Sequence, residues 1–162
     1  MNSPFKSPVT ADLEAKHIPF RLFHHAHPPH SVEQAAQERG QSPDQVVRSI
    51  LFRLSEGKYV MVLVAGTRQV SWPVLRKHLG QSRLTLASET EVISATGYPL
   101  GAVAPFGLPQ PIPILIDESV FIQQEISLGS GVRGTAVILH TEDFLRALGS
   151  FDRGLFTSLS KG

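Results

Sequence analysis

The stretch Gly97-Tyr98-Pro99-Leu100-Gly101-Ala102-Val103-Ala104-Pro105-Phe106-Gly107 constrains this chain more than any other. Its three glycines and two prolines alternate with small or apolar residues, so it cannot continue a helix and brings no side-chain acid, base or nucleophile. Any chemistry it performs must come from the backbone. Two readings follow: a rigid loop whose N–H and C=O groups face a small polar ligand, or a plain Pro/Gly connection between strands.

The flanking segments place this loop in an α+β pattern. Thr10 is a candidate cap for a helix over residues 11–16, ended by Ile18-Pro19. Residues 20–24 alternate as a half-buried strand, and Ser31-Val32-Glu33-Gln34 has the capping-box spacing of a short helix that Gly40 ends. Ser42-Pro43-Asp44-Gln45 repeats the device before a β-branched, apolar strand over 46–54. Ser55-Glu56-Gly57-Lys58 reads as a hairpin turn into residues 59–65, apolar on both faces and therefore a central strand. Ser71 opens a helix to Gly80, residues 83–87 form a short strand, and Ser88-Glu89-Thr90-Glu91 opens the helix that delivers the chain to Gly97. Strands are expected over 112–117, 120–122 and 135–140, with Thr141 capping a last helix to Leu148. The organisation expected is a loose arm over residues 1–9, one domain over 10–149 and a tail over 150–162.

Composition removes several functions. With no cysteine there are no disulfides, thiolate nucleophiles or Cys-based zinc sites. Fifteen Lys and Arg against 14 Asp and Glu leave a formal charge of +1, so no global basic field exists for gripping duplex DNA, while local contact with a few phosphates stays open. The apolar runs are too short to span a bilayer or to act as a signal segment, and the expectation is a soluble cytoplasmic protein. Leu128-Gly129-Ser130-Gly131-Val132-Arg133-Gly134 lacks both the Lys-Ser/Thr ending of a P-loop and the dinucleotide spacing, which argues against a nucleotide cofactor.

Two polar features need an account. Arg48 stands at the start of a buried strand, where a guanidinium must meet an acid, backbone carbonyls or an anionic ligand, or else snorkel to solvent. His24, His25, His27 and His30 crowd one loop. Imidazole is a common metal ligand, but no HExxH or helical spacing is present, and Pro28-Pro29 favours a strand-end loop with one histidine near a ligand pocket.

Taken together, Phe20 to Ala36, Ser42 to Leu51, Thr96 to Gly107 and Gly129 to Leu139 resemble the YbaK/prolyl-tRNA synthetase-associated family of aminoacyl-tRNA editing domains. The most specific piece is Gly101-Ala102-Val103-Ala104-Pro105, which resembles the family's Gly-x-x-x-Pro loop, and the likeness runs from about Thr10 to about Leu148. The resemblance implies a single α+β domain with a mixed, partly closed, barrel-like sheet surrounded by helices. It implies a trans-acting deacylase that hydrolyses the ester of a small mischarged amino acid, foremost on tRNA for proline, without cofactor or metal and with help from a ribose hydroxyl of the substrate. Its partners would be the aminoacyl-tRNA acceptor end and an aminoacyl-tRNA synthetase, with no DNA and no membrane. The backbone of Gly101, Ala102, Val103, Ala104 and Pro105 would position the ester, and His27, Ser49, Tyr98, Gly131 and Arg133 would surround the substrate. Arg48 occupies the position where many members carry lysine; it keeps the charge needed to hold a phosphate but is longer and planar. That replacement keeps open a second reading, a noncatalytic module binding a tRNA end or an amino acid.

Overall fold

A computed structural model describes residues 5–158. The helices are α1 (Pro8–Ala15), α2 (Val32–Arg39), α3 (Trp72–Leu79), α4 (Glu89–Thr96) and α5 (Thr141–Leu148). The strands are β1 (Arg21–His24), β2 (Val47–Ser55), β3 (Lys58–Ala65), β4 (Gln69–Val70), β5 (Thr85–Leu86), β6 (Ile114–Asp117), β7 (Glu125–Gly129), β8 (Thr135–His140), β9 (Asp152–Gly154) and β10 (Thr157–Ser158).

The run apolar on both faces, β3, lies at the middle of a five-stranded sheet ordered β5-β2-β3-β6-β9. Because side chains alternate along a strand, Met61, Leu63 and Ala65 enter one core with α1, β7, β8 and the Gly97–Gly107 loop. Val60, Val62 and Val64 enter a second core with Phe52, Leu75 of α3, Leu115 and Phe156. All six β3 side chains are fully buried, each worth roughly 1.5–3 kcal/mol for the larger ones.

The other sheets are β1-β8-β7 and β10-β4. Among the described residues the three- and five-stranded sheets meet in a single parallel bridge, Val46 to Ser127. The expected barrel-like closure is therefore absent: beyond that bridge no strand ladder joins the two sheets among the described residues, and they stay open.

Several local expectations change for identifiable reasons. Ser7, not Thr10, caps α1, because Pro8 fits the first helical position and Thr10 closes the capping box from the third. Ser7 and Val9 are buried, so the expected arm is already packed there, and residues 1–4 lie outside the described residues. Residues 120–122 belong to a 3-10 turn, Glu118–Ile122, started by the Asp117 carboxylate accepting from the Ser119 N–H at 3.1 Å, and the strand follows as β7. His140 takes the cap position before α5, while Thr141 Oγ1 donates to the Gln123 carbonyl. Residues 150–158, expected as tail, supply β9 parallel to β6 and β10 antiparallel to β4; residues 159–162 lie outside the described residues. The fully buried Asp117 carboxylate secures that segment by accepting from Phe156 N–H at 2.7 Å and Thr157 Oγ1 at 3.1 Å.

Candidate functional site

The Gly97–Gly107 loop is held from behind. Gly97 ends α4 in the left-handed region at φ 81°, the conformation glycine tolerates, and Thr96 Oγ1 accepts from the Tyr98 N–H at 3.1 Å. The buried Tyr98 hydroxyl donates to the Phe106 carbonyl at 2.5 Å, cross-bracing the two ends of the loop. Burial pushes that hydroxyl's pKa up to about 12, with the Asp12 carboxylate adding to the effect. Beside the loop, Gly131 N–H donates to the Ala102 carbonyl at 2.9 Å, and a side chain at Gly131 would strike the Tyr98 ring at 2.9 Å. Gly129 lies so close to the loop that a Cβ would meet Ala102 C and O at 2.7 Å.

The front of the loop faces a cleft of about 840 Å3. Its walls come from the start of β2 (Arg48, Ser49 and Ile50), from Val32, Ala35 and Arg39 of α2, and from the histidine loop. Gly101 and Val103 line it together with Gly129, Arg133, Gly134 and Thr135. Of the residues expected at the site, Arg48, Ser49, His27, Gly101, Val103 and Arg133 converge here. Ala102, Ala104, Pro105, Tyr98 and Gly131 do not line the cleft; all but Gly131 are buried, and Tyr98 and Gly131 support the loop from behind.

The lining carries three arginines and three histidines and no carboxylate, in a chain whose formal charge is only +1. The N–H groups of Gly101 and Val103 have no hydrogen-bond partner among the described residues. Ser49 Oγ is the one buried side-chain oxygen or nitrogen there without a partner. The cleft thus offers unspent donors and positive charge.

The arginines differ in what they hold. Arg48 meets backbone carbonyls, one of the alternatives its sequence position left open: Nε donates to Gly66 O at 2.7 Å and Nη2 to Arg68 O. Desolvation lowers its pKa. Arg68 is itself tied to Asp44 at 2.8 Å, so Arg48 clasps a braced loop. Arg133, by contrast, is exposed and sends Nε to the Leu100 carbonyl at 3.1 Å.

Sequence reasoning missed Arg39. As the last residue of α2 it reads as an ordinary cation at a helix C-terminus. In the fold its Nε donates to His25 Nε2 at 3.0 Å and its Nη1 to Ser127 Oγ at 2.9 Å, and desolvation brings its pKa down to about 10. His25, whose side chain is 1 % exposed, hydrogen-bonds through Nδ1 to Glu38 Oε1 at 2.6 Å. That hydrogen bond, followed by one from Gln34, holds the Glu38 carboxyl below its ordinary pKa. His25 and Arg39 are 14 positions apart, so no local pattern announces the pair. Among the described residues no three His, Asp or Glu side chains gather to hold a metal ion.

An α+β domain with open sheets and a cationic, carboxylate-free cleft bordered by glycine-rich backbone is suited to an anionic ligand. Residues 26–147 match the family model of the aminoacyl-tRNA editing domain, and the chain belongs to that family. It is 29% identical over 118 residues to the multifunctional Ser/Thr-tRNA deacylase ProXp-y of Escherichia coli K12, covering 70% of this chain and 71% of that protein. It is 33% identical over 90 residues to the proline–tRNA ligase of Kosmotoga olearia, where the match covers 56% of this chain but only 15% of the ligase. In three dimensions it resembles a candidate trans-editing enzyme for prolyl tRNA synthetase, with a TM-score of 0.83 at 23% identity over 98% of this chain and all of that one. That likeness is one of fold.

Proposed function

We propose that the protein is a trans-acting aminoacyl-tRNA deacylase of the cytoplasm that removes a small, hydroxyl-bearing amino acid, serine or threonine first, with tRNA for proline the leading carrier. The observation that carries this reading is the pair of unpartnered N–H groups at Gly101 and Val103 on a cleft with no carboxylate in its lining. An aminoacyl ester is already activated. Backbone donors that receive the carbonyl oxygen as it gains negative charge can supply roughly 10²–10³ in rate each, and correct placement of water supplies more. No side-chain nucleophile is required, and a ribose hydroxyl beside the ester is the natural proton carrier. The unpartnered Ser49 Oγ supports the amino-acid class, because a buried hydroxyl gains most from a substrate that hydrogen-bonds it. The name of the Escherichia coli relative points the same way.

The test is hydrolysis of a panel of seryl-, threonyl-, alanyl- and cysteinyl-tRNA by the purified protein. Seryl or threonyl ester should disappear fastest, and Gly101→Val should abolish turnover. Absence of turnover on every ester, with tRNA binding retained, would replace this reading with the noncatalytic module, which the engagement of Arg48 with main-chain carbonyls favours.

A further inference from the structure

Three arginines line the cleft, but their guanidinium groups are not equally available. Arg39 is spent on His25 and Ser127 inside the protein. Arg48 is half-buried and turned onto the carbonyls of Gly66 and Arg68. Arg133 uses only Nε, on Leu100 O, and its Nη1 and Nη2 have no partner among the described residues. That leaves the two-pronged end of the guanidinium, the edge that matches two phosphate oxygens, facing outward from an exposed side chain.

Its position is tied to the reaction site. Arg133 Nε lies 4.0 Å from where a Cβ on Gly101 would stand, and the Leu100 carbonyl that it holds belongs to the residue before Gly101. The turn carrying Arg133 is fixed to the same loop by the bond from Gly131 to Ala102. A ligand ester reaching the Gly101 and Val103 N–H groups would therefore bring its nearest phosphodiester within reach of Arg133.

Resting on the deacylase reading above, we propose that Arg133, and not Arg48, binds the phosphodiester next to the aminoacylated 3′ end, with Arg48 acting as a strut for the loop at Gly66–Arg68. Arg133 joins the phosphate contact to the ester-holding loop through Leu100. Arg48 keeps β2 and that loop in register and contributes no ion pair to the nucleic acid.

The experiment measures the affinity of uncharged tRNA, labelled at its 5′ end, by fluorescence anisotropy over a series of salt concentrations. Each single-strand phosphate contact contributes about 0.7 to the slope of log affinity against log salt. Arg133→Gln should lower the slope by about 0.7 and weaken binding about tenfold at low salt, whereas Arg133→Lys keeps the slope. Arg48→Gln should keep the slope while amide exchange across residues 66–68 speeds up. Removing the terminal adenosine with its phosphate should weaken wild-type binding about tenfold and leave the Arg133→Gln protein unaffected. A wild-type slope in Arg133→Gln, or a lowered slope in Arg48→Gln, overturns the assignment. Salt-independent binding by the wild-type protein overturns the deacylase reading itself.

Discussion

Gly129→Ala tests whether the loop's position, rather than any side chain, sets activity. The φ of Gly129 lies outside the left-handed region, so the objection to a methyl group there is steric alone. The new Cβ would stand 2.7 Å from Ala102 C and O, and closer still to the Val103 carbonyl, where ordinary contact begins at 3.4 Å. None of these atoms is the free end of a flexible chain, so the loop or β7 must move by more than about 0.7 Å, the gap left by the two farther atoms. Overpacking of this kind costs about 1–3 kcal/mol, which for a domain of this length lowers Tm by roughly 2–12 °C. A misplacement approaching 1 Å at a positioning element costs about 10–10² in rate. Single-turnover deacylation of seryl-tRNA, with protein in excess, reads the second quantity and a thermal melt the first. The paired control is Gly57→Ala in the β2–β3 turn, where φ is +73° and no atom lies within 4 Å of the new Cβ. It should cost about 1–2 kcal/mol of stability and leave single-turnover rate unchanged. Wild-type rate and Tm in Gly129→Ala would show that the loop yields freely, and the argument for a rigid main-chain site would be lost.

Other outcomes follow from the same structure. Tyr98→Phe removes the donor to the Phe106 carbonyl and should cost about 1–2 kcal/mol, read by denaturant unfolding. Because the folded-state pKa of Tyr98 is raised to about 12, its stabilising contribution is complete below pH 10 and declines as pH rises toward 12. Arg39, with its pKa lowered to about 10, pulls the alkaline limb the other way, so the wild-type minus Tyr98→Phe difference is the quantity to follow; a difference constant from pH 9 to 12 would refute the assignment. Asp117→Asn puts an amide where three donors converge and should destabilise by about 1–3 kcal/mol, with faster tryptic cleavage at Arg153; an unchanged cleavage rate would mean that β9 is held without the carboxylate. Deacylation should be unaffected by prolonged dialysis against a chelator, and loss of activity restored by added zinc would reinstate a metal role for the histidine loop.

What could be read from the sequence was whatever depends on short spacing. The central strand at 59–65, the hairpin at 55–58, the Ser31 cap of α2 and the capping box of α4 each rest on a few neighbouring residues, and each stands in the fold, although Gln34 of α2 accepts from His30 rather than closing a box on Ser31. The backbone character of the Gly97–Gly107 loop was legible for the same reason, since glycine and proline restrict their own φ. Contacts between distant segments were not. Nothing near Arg39 or His25 signals that they meet, and nothing in residues 150–158 announces strands, because β9 and β10 are two or three residues long and exist through β6 and β4. Tyr98 was placed at the substrate by the family resemblance alone, and its burial depends on Gly131, 33 positions later, leaving room for the ring. Barrel closure was an implication of likeness, and among the described residues the single Val46–Ser127 bridge is not extended into a ladder that would close the sheets.

The segment that the family shares, residues 26–147, is not a unit that can be excised. A fragment with those limits would strip β8 of its β1 neighbour and take away two of the three donors to Asp117, leaving the carboxylate with Ser119 N–H alone of the three. Both outlying pieces also touch segments beside the cleft walls. Ser7 Oγ donates at 2.6 Å to the carbonyl of Ser130 in the turn that carries Arg133, while Ser158 pairs with Gln69, next to the carbonyl that Arg48 clasps. Replacing Ser7 or Ser158 therefore alters what supports a wall of the cleft, and the choice of residue at either place becomes a variable in every rate measured.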